Sequence, residues 1–342
     1  SPSVIATAAH LRAEFIEELT DSGYADNENA ERQLYSSTRL AEVPEKRLKI
    51  DGQVRIDASS VTGEERSTNR SRARIRGRIY PDYNIDGNWH AVGMVEYEKT
   101  LTGGGGDKDG KLKFDRYYLT GHSGIFDVTA GVFGTTMAEG NIYDSKFRGI
   151  RLSTGVPITY TVEYGKIEKA KKVAGLTASY DAKTYTAEAG MYRFDKIGTA
   201  TRNVYMLNYR KPVGAYDFGA MLLHGRDHAA GNGTGYVLTL SRVGGGAWRP
   251  GSFSYWLKYY RQPSSTYVSH TMNGSADYMN FDASGTGAKR GGFRGWGAGL
   301  SYTLKKDLIF ALEYYDLYDL TTGNRSRTIW GSLTGYFQNY KE

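Results

Sequence analysis

Apolar and polar residues alternate along most of this chain with a period of two. In the clearest stretch, small or apolar residues alternate with polar ones: Leu48, Ile50, Gly52, Val54, Ile56 and Ala58 against Lys49, Asp51, Gln53, Arg55 and Asp57. Successive side chains of a β-strand point to opposite faces of the sheet. The pattern therefore predicts strands with one face in an apolar medium and the other in water.

The alternation recurs to the carboxy terminus and predicts sixteen strands. They lie near residues 47–58, 70–80, 88–99, 111–121, 125–134, 147–153, 157–165, 172–181, 184–194, 202–210, 215–225, 234–243, 252–261, 291–304, 307–318 and 326–337. An even number allows one antiparallel sheet to close into a barrel, because its first and last strands then meet antiparallel.

Composition indicates that the apolar medium is lipid. Hydrophobic residues make up 39% of the 342 residues, which is low for a chain that must form one or two dry cores. No window approaches the run of about 18 apolar residues that a transmembrane helix needs. A barrel in the bacterial outer membrane explains both observations, since its strands give only alternate residues to the lipid and its lumen stays polar.

Tyrosines are concentrated on the apolar face near the predicted strand ends. The chain has 28 of them. Such rings lie at the level of the lipid headgroups, with the apolar body toward the acyl chains and the hydroxyl toward water. Tyrosine is also a good strand former, but this placement favours aromatic girdles.

The predicted connections alternate between short and long. Outer-membrane barrels show this alternation because their periplasmic turns are short and their external loops longer. The longest predicted loop is 262–290, and 134–146 forms the third external loop. One predicted periplasmic connection, 244–251, is longer than the other turns.

Charge is concentrated on the predicted inner face. Four arginines alternate with small or branched apolar residues, so their guanidinium groups all point to the same side of the sheet: Arg72, Arg74, Arg76 and Arg78. Like charges this close repel, which a water-filled channel tolerates because its dielectric constant is high and counter-ions enter. The predicted pore-lining residues are Arg55, Arg72, Arg74, Arg76, Arg78, Glu96, Glu98, Arg116 and Arg151.

Catalytic and metal chemistry find little support. The segment 121–124, Gly-His-Ser-Gly, is similar to part of a lipase nucleophile elbow, but Ile125 stands where that motif needs glycine. His224 and His228 flank Asp227 among glycines that disfavour a helical metal site. The sequence therefore predicts no enzyme, no metal site and no cofactor.

The formal net charge of +7 is also typical of proteins that bind nucleic acid. A nucleic-acid binder combines a basic exposed face with a compact core. Here the arginines share strands with a nearly continuous lipid-like face, so no nucleic-acid partner is predicted.

Two parts of the chain resemble known porins. Sixteen strands with short and long connections resemble the general trimeric porins over about residues 47–337. Residues 10–19, His-Leu-Arg-Ala-Glu-Phe-Ile-Glu-Glu-Leu, are similar to the helical stalk of porins that carry an amino-terminal S-layer-homology domain. The resemblance implies a homotrimer, with peptidoglycan tethering only through a domain ahead of the stalk in a longer protein. The aromatic Phe337 is similar to the terminal signal of outer-membrane barrels, and 338–342 follow it as a tail.

General porins oppose a basic wall with acidic residues on a loop folded into the barrel. The resemblance therefore implies that Glu139 and Asp144, in the third external loop, line a constriction. Opposed charges would set a transverse field across the pore. The alternative is that this loop stays outside and that the arginines pair with Glu96 and Glu98.

The amino-terminal residues 1–46 are predicted as a periplasmic helical stalk and connector. Ile5, Arg12, Phe15 and Leu19 fall at helical spacing, and 21–23, Asp-Ser-Gly, end the helix. This helix joins a trimeric coiled coil, caps the periplasmic mouth, or is disordered without its partner.

These patterns together predict an all-β transmembrane barrel that serves as an outer-membrane porin for small hydrophilic solutes and ions. Its expected partners are outer-membrane lipid, lipopolysaccharide or phospholipid, and two further copies of the chain. A structural or adhesive anchor barrel and a soluble, basic, β-rich binding protein are the alternatives.

Overall fold

The computed structural model describes residues 47–64, 69–103, 109–197, 200–244, 246–268, 271 and 291–337. These residues form sixteen strands: β1 (Leu48–Gly63), β2 (Arg70–Asn84), β3 (Trp89–Thr102), β4 (Lys111–Ser123), β5 (Phe126–Met137), β6 (Tyr143–Thr154), β7 (Ile158–Lys166), β8 (Lys172–Asp181), β9 (Thr186–Ile197), β10 (Ala200–Val213), β11 (Tyr216–Asp227), β12 (Gly231–Arg242), β13 (Phe253–Pro263), β14 (Gly292–Lys305), β15 (Leu308–Asp319) and β16 (Arg325–Phe337). The predicted all-β architecture and its sixteen strands are confirmed.

The strands form one closed barrel. Each pairs antiparallel with its neighbours in sequence, and β1 pairs with β16. This closing pair runs from Gly52 opposite Phe337 to Gly63 opposite Ser326. Gly52 makes room for the aromatic ring that ends β16, since a Cβ there would lie 2.2 Å from Cζ of Phe337.

The two faces of the barrel differ as the alternation predicts. On β12, Leu238 is 49% exposed while its neighbour Val237 is 1% exposed. Large apolar side chains are exposed at alternate positions of the strands. These positions form the outer face of the barrel, while the side chains between them point to the interior and are shielded. No helix among the described residues has the length and hydropathy to cross a membrane.

Aromatic rings form clusters near both ends of the outer face. Near the short turns, Tyr185 lies 6.1 Å from Tyr180 and 5.6 Å from Tyr209, measured between ring centroids. Toward the other end, Tyr259 lies 6.1 Å from Tyr236 and 4.6 Å from Trp296. The two clusters have the positions that aromatic girdles take at the two interfaces of a membrane.

The connections are partly as predicted. The turns 124–125, 214–215 and 306–307 are short, and 243–252 is the longer connection at the same end. Two connections on the external side, predicted at 195–201 and 226–233, are shortened to 198–199 and 228–230, because the flanking strands extend further than expected. Strict alternation of loop length is therefore wrong there, although 264–291 is long.

Aromatic and aliphatic side chains fill part of the interior. A buried cluster includes Phe133, Phe147, Phe194, Tyr260 and Phe293, and its members come from β4 to β15 and their connections. None of its buried members lies on β1, β2, β3 or β16. The interior of the described barrel thus has an apolar side and a polar side.

Two predicted segments lie outside the described residues. They are the helical stalk and connector, 1–46, and the tail, 338–342. The strand β16 does end on the aromatic Phe337, as predicted.

The assignment of faces predicts the effect of a charge on the outer wall. Replacing Leu238 or Leu257 by Arg should impair insertion, because a cation at the bilayer midplane costs about 2–4 kcal/mol on a barrel exterior. Folding into vesicles, followed by heat-modifiable migration on a gel, measures this. Thr234→Arg, on the same face of β12 but nearer the interface, is the control and should insert almost normally. Equal insertion of all three variants would mean that the faces are assigned wrongly.

Candidate functional site: the charged inner wall

The arginines of β2 lie on the inner face of the barrel. Pairing of β1 with β2 sets Arg55 opposite Arg76, Asp57 opposite Arg74 and Gln53 opposite Arg78. Residues directly opposite each other share a face of the sheet. Arg55 is fully buried and Arg76 is 5% exposed.

Carboxylates lie between these arginines. Arg74 donates from Nε to Asp57 Oδ1 at 2.8 Å and from Nη1 to Glu98 Oε2 at 2.9 Å. Arg55 donates from Nε to the same Asp57 at 3.1 Å. One chain of ion pairs therefore crosses β1, β2 and β3, and Asp57 links two of its cations.

The four alternating arginines of β2, Arg72 to Arg78, are called the arginine ladder, and its members differ in their partners. Arg78 donates from Nε to Glu96 Oε2 at 2.8 Å, so pairing with Glu96 and Glu98, the predicted alternative, is present for two arginines. Arg72 forms no ion pair with the described residues. Sequence reasoning missed Asp57, although its alternation with Ile56 places it on the inner face.

A second charged group extends this wall to β7. Arg151 on β6 donates from Nη2 to Glu163 Oε1 at 2.7 Å and to Thr135 Oγ1 at 2.6 Å. Its guanidinium also lies 5.0 Å from the centre of the Phe133 ring. These contacts fix Arg151 against the apolar side of the interior.

A register shift explains the position of Arg116. Between β3 and β4, Met94 pairs with Arg116 and Val95 with Phe114, so Asp115 has no opposite residue. Such a bulge interrupts the alternation, and both Asp115 and Arg116 are buried. Asp115 accepts a hydrogen bond from Nζ of Lys146 at 2.7 Å.

The third external connection folds inward. The strands continue to Met137 and resume at Tyr143, so the connection is only 138–142 instead of the predicted 134–146. Ala138, Asn141 and Ile142 are all at most 3% exposed. Asp144, predicted in the loop, lies on β6, where it accepts a hydrogen bond from Thr136 at 3.2 Å.

Glu139, at the tip of this connection, binds the wall that lies across the barrel from the arginine ladder. Its Oε1 accepts hydrogen bonds from Arg210 Nη1 at 2.8 Å and from Asn208 Nδ2 at 2.9 Å. Both donors lie on β10, eight strands around the barrel from β2. Burial alone would raise the pKa of Glu139, but Arg210, Lys258 and these hydrogen bonds lower it below its usual value.

A second segment, which the sequence did not indicate, also folds inward. Residues 264–268 follow β13 and are at most 4% exposed. Val268 donates its backbone N–H to Ile142 O at 2.8 Å, and Arg202 donates to Tyr267 O. Gly225 permits this approach, since a Cβ there would lie 2.0 Å from Ser265 O.

Several interior charged residues were missed by sequence reasoning. Arg202 pairs with Asp227 at 2.7 Å, and Arg210 pairs with Asp217 at 3.0 Å as well as with Glu139. A signal was available, because Arg202 and Arg210 alternate with the outward Tyr205, Leu207 and Tyr209.

The weak enzyme motif lies in a hairpin. The strand β4 ends at Ser123, and β5 begins at Phe126 after Gly124, whose φ is +60°. Nδ1 of His122 lies against Oδ1 of Asp127, and both side chains are largely exposed. Among the described residues no group of His, Asp or Glu has the arrangement of a metal site.

Comparison with known proteins places this barrel among porin folds. The anion-selective porin from Comamonas acidovorans superposes with a TM-score of 0.56 at 13% identity, over 85% of this chain and 99% of its own. Salmonella typhi OmpF, in complex with daunomycin, gives 0.56 at 11%, over 85% and 97%. Pseudomonas aeruginosa OccK11 gives 0.56 at 11%, over 86% and 96%. No family model and no curated protein matches the chain, and identities this low establish the fold alone.

The ion pair between Arg74 and Glu98 predicts reciprocal changes in ion selectivity. Both side chains keep some solvent access, 16% and 13%. Arg74→Ala should shift the reversal potential under a salt gradient toward cations, because Asp57 and Glu98 lose a counter-charge. Glu98→Gln should shift it toward anions, and the double variant should lie between them. These shifts should shrink between about 0.1 M and 1 M salt, where the screening length falls from about 10 Å to about 3 Å. Unchanged potentials at low salt would place this pair outside the ion path.

The contact of Glu139 with Arg210 predicts how the inward connection is held. Glu139→Gln removes the ionic attraction but keeps the side-chain shape, so residues 138–142 should exchange their amide hydrogens faster. Brief closures in single-channel recordings should also become more frequent. Asp217→Asn, which removes the other partner of Arg210, is the control and should leave the connection unchanged. Equal exchange in both variants would show that Glu139 does not hold it.

Proposed function

We propose that this protein is an outer-membrane porin, which lets small hydrophilic solutes and ions diffuse passively through a water-filled lumen. The observation that carries the proposal is a closed barrel with an exposed apolar outer face and an ionic inner wall on β1 to β3. Ion pairs are costly to hold in a dry interior, whereas a hydrated lumen accommodates them. The porin folds of the solved structures that it resembles support the same conclusion.

The proposed orientation follows from the connections. The end with the short turns faces the periplasm, and the end with 264–291 faces outward. In this arrangement residues 1–46 are a periplasmic stalk and connector, 47–337 the barrel, and 338–342 a tail. Tethering to peptidoglycan would need a further domain in a longer protein.

The proposed homotrimer would use the outer face of β16, β1 and β2. Small residues recur there among the larger apolar ones: Ala58 lies opposite Ala73 and Gly331, and Gly77 lies opposite Val54. Small side chains let two apolar surfaces approach closely in a membrane. The same strands lie next to the charged inner wall, so contact between subunits would brace it.

The arrangement of charges favours weak selectivity. Because Arg74 and Arg78 are paired, the wall combines both signs of charge and attracts anions less strongly than four unpaired arginines would. One solved porin of this fold is described as anion-selective. Modest anion preference is therefore the proposed behaviour.

One observation favours a second candidate, an anchor barrel with little transport. The inward segments 138–142 and 264–268 and the apolar cluster occupy part of the interior. Such packing narrows the bore, so the two functions differ in conductance.

Reconstitution in planar bilayers tests the proposal. Purified protein should open stable channels whose conductance rises nearly in proportion to salt concentration, because a water-filled bore behaves as a column of electrolyte. Protein denatured before reconstitution is the control. Correctly folded barrels, shown by heat-modifiable migration, that open no channels would contradict the porin function and support the anchor barrel.

A further inference from the structure

A row of nitrogen-bearing side chains crosses the outer face at the end opposite the short turns. Strand pairing sets Arg193 on β9 opposite Asn203 on β10, and Asn203 opposite Arg226 on β11. Neighbouring strands lie about 4.8 Å apart, so the two arginines are about two strand spacings apart with the amide between them. Arg193 and Arg226 are both exposed.

The contacts of these two arginines orient them without neutralising both. Arg193 pairs with the half-buried Asp195, Nε to Oδ1, at 2.9 Å. The guanidinium of Arg226 lies 5.8 Å from the centre of the Tyr205 ring, and no carboxylate of the described residues pairs with it. The planar fork of a guanidinium matches the oxygens of a phosphate group.

Apolar grooves lie directly below this row on the membrane side. Two adjoining grooves of about 590 and 450 Å³ cross the outer face of β8 to β11 and reach the edges of β7 and β12. Both are lined by Ala178, Ala189, Leu207 and Leu222. The alanines form the floor because their side chains are short, while tyrosines and leucines form the sides.

Cations recur around the barrel at the same end. The outer-face positions of β6, β7, β13, β14 and β16 carry Arg148, Lys166, Arg261, Arg294 and Arg327. Arg148 lies opposite Lys166, and Arg261 lies opposite Arg294. Like charges directly opposite each other destabilise a sheet, so this surface is complementary to anions.

We propose that the outer face of β8 to β11 binds a phosphorylated lipid of the external leaflet. Its acyl chains lie in the alanine-floored grooves, and its phosphate groups accept hydrogen bonds from Arg193, Asn203 and Arg226. The site rests on the orientation proposed above, which places this end of the barrel outside. It does not depend on transport, because all of its residues face away from the lumen.

Lipid titration by native mass spectrometry tests the site. The probe is bis-phosphorylated lipid A, with monophosphoryl lipid A and phosphatidylethanolamine as comparison lipids. The wild-type protein should bind one bis-phosphorylated molecule per chain in preference to the other two, and excess inorganic phosphate should not displace it. The double variant R193Q/R226Q should lose about tenfold in affinity, equivalent to about 1.4 kcal/mol.

Two further variants separate this site from general attraction to cations. Ala189→Phe fills the grooves without changing charge and should also weaken binding. The pair R261Q/R294Q removes two cations elsewhere on the same end and should have little effect. Equal weakening by both arginine pairs, or binding that Ala189→Phe leaves unchanged, would overturn the proposal. So would loss of oligomers in R193Q/R226Q without any change in lipid binding, which would assign this face to subunit contact.

Channel recordings keep the two proposals apart. R193Q/R226Q should conduct as the wild-type protein does, because neither residue faces the lumen. Conductance without lipid binding would remove the lipid site and leave the porin function standing. Lipid binding without conductance would contradict the porin function and leave the lipid site standing.

Discussion

The structure depends on the hydrogen bonds between β1 and β16. A sheet edge in lipid leaves backbone N–H and C=O groups without partners, at a cost of several kcal/mol for each group, so a membrane-spanning sheet must close. Here the first and last strands pair from Gly52 with Phe337 to Gly63 with Ser326. Closure removes the edges and creates two surfaces with different solvents. The alternation along each strand follows from that division, since each strand presents one set of alternate residues to the lipid and the other set to the interior.

The division also determines where charge can lie. The middle of the outer face excludes ions, so charged residues are confined to the interior and to the ends of the outer face. On the interior, four arginines on one strand would repel one another. The ion-pair network on β1 to β3 offsets this repulsion, because positive and negative charges alternate along it: Arg55, Asp57, Arg74 and Glu98. The lumen charge is therefore set by the network as a whole instead of by the arginines alone.

The sequence predicts most of the fold because the alternation is local. The polarity of a residue and of its immediate neighbours is enough to indicate which face of the sheet it occupies. The sixteen strands are predicted correctly for this reason, and the same alternation predicts that the arginines of β2 share one face. The alternation fails where the chain departs from regular pairing, as at the bulge that turns both Asp115 and Arg116 inward. It also says nothing about contacts across the interior. Glu139 contacts Arg210, and Val268 contacts Ile142. The partners lie far apart in the sequence, so no short pattern predicts these contacts.

The inward segments give the interior its asymmetry. Glu139 ties the connection 138–142 to β10, and Gln262 donates to Asn141 O at 3.0 Å, so this connection and the end of β13 hold each other on the apolar side. The ionic wall on β1 to β3 contributes no buried side chain to the apolar cluster. A hydrated path is therefore most favourable along the ionic wall, because water there replaces no apolar packing and solvates charges that are already present. A solute on this path would meet fixed charges on one side and packed segments on the other, so the field it experiences is transverse to its direction of travel.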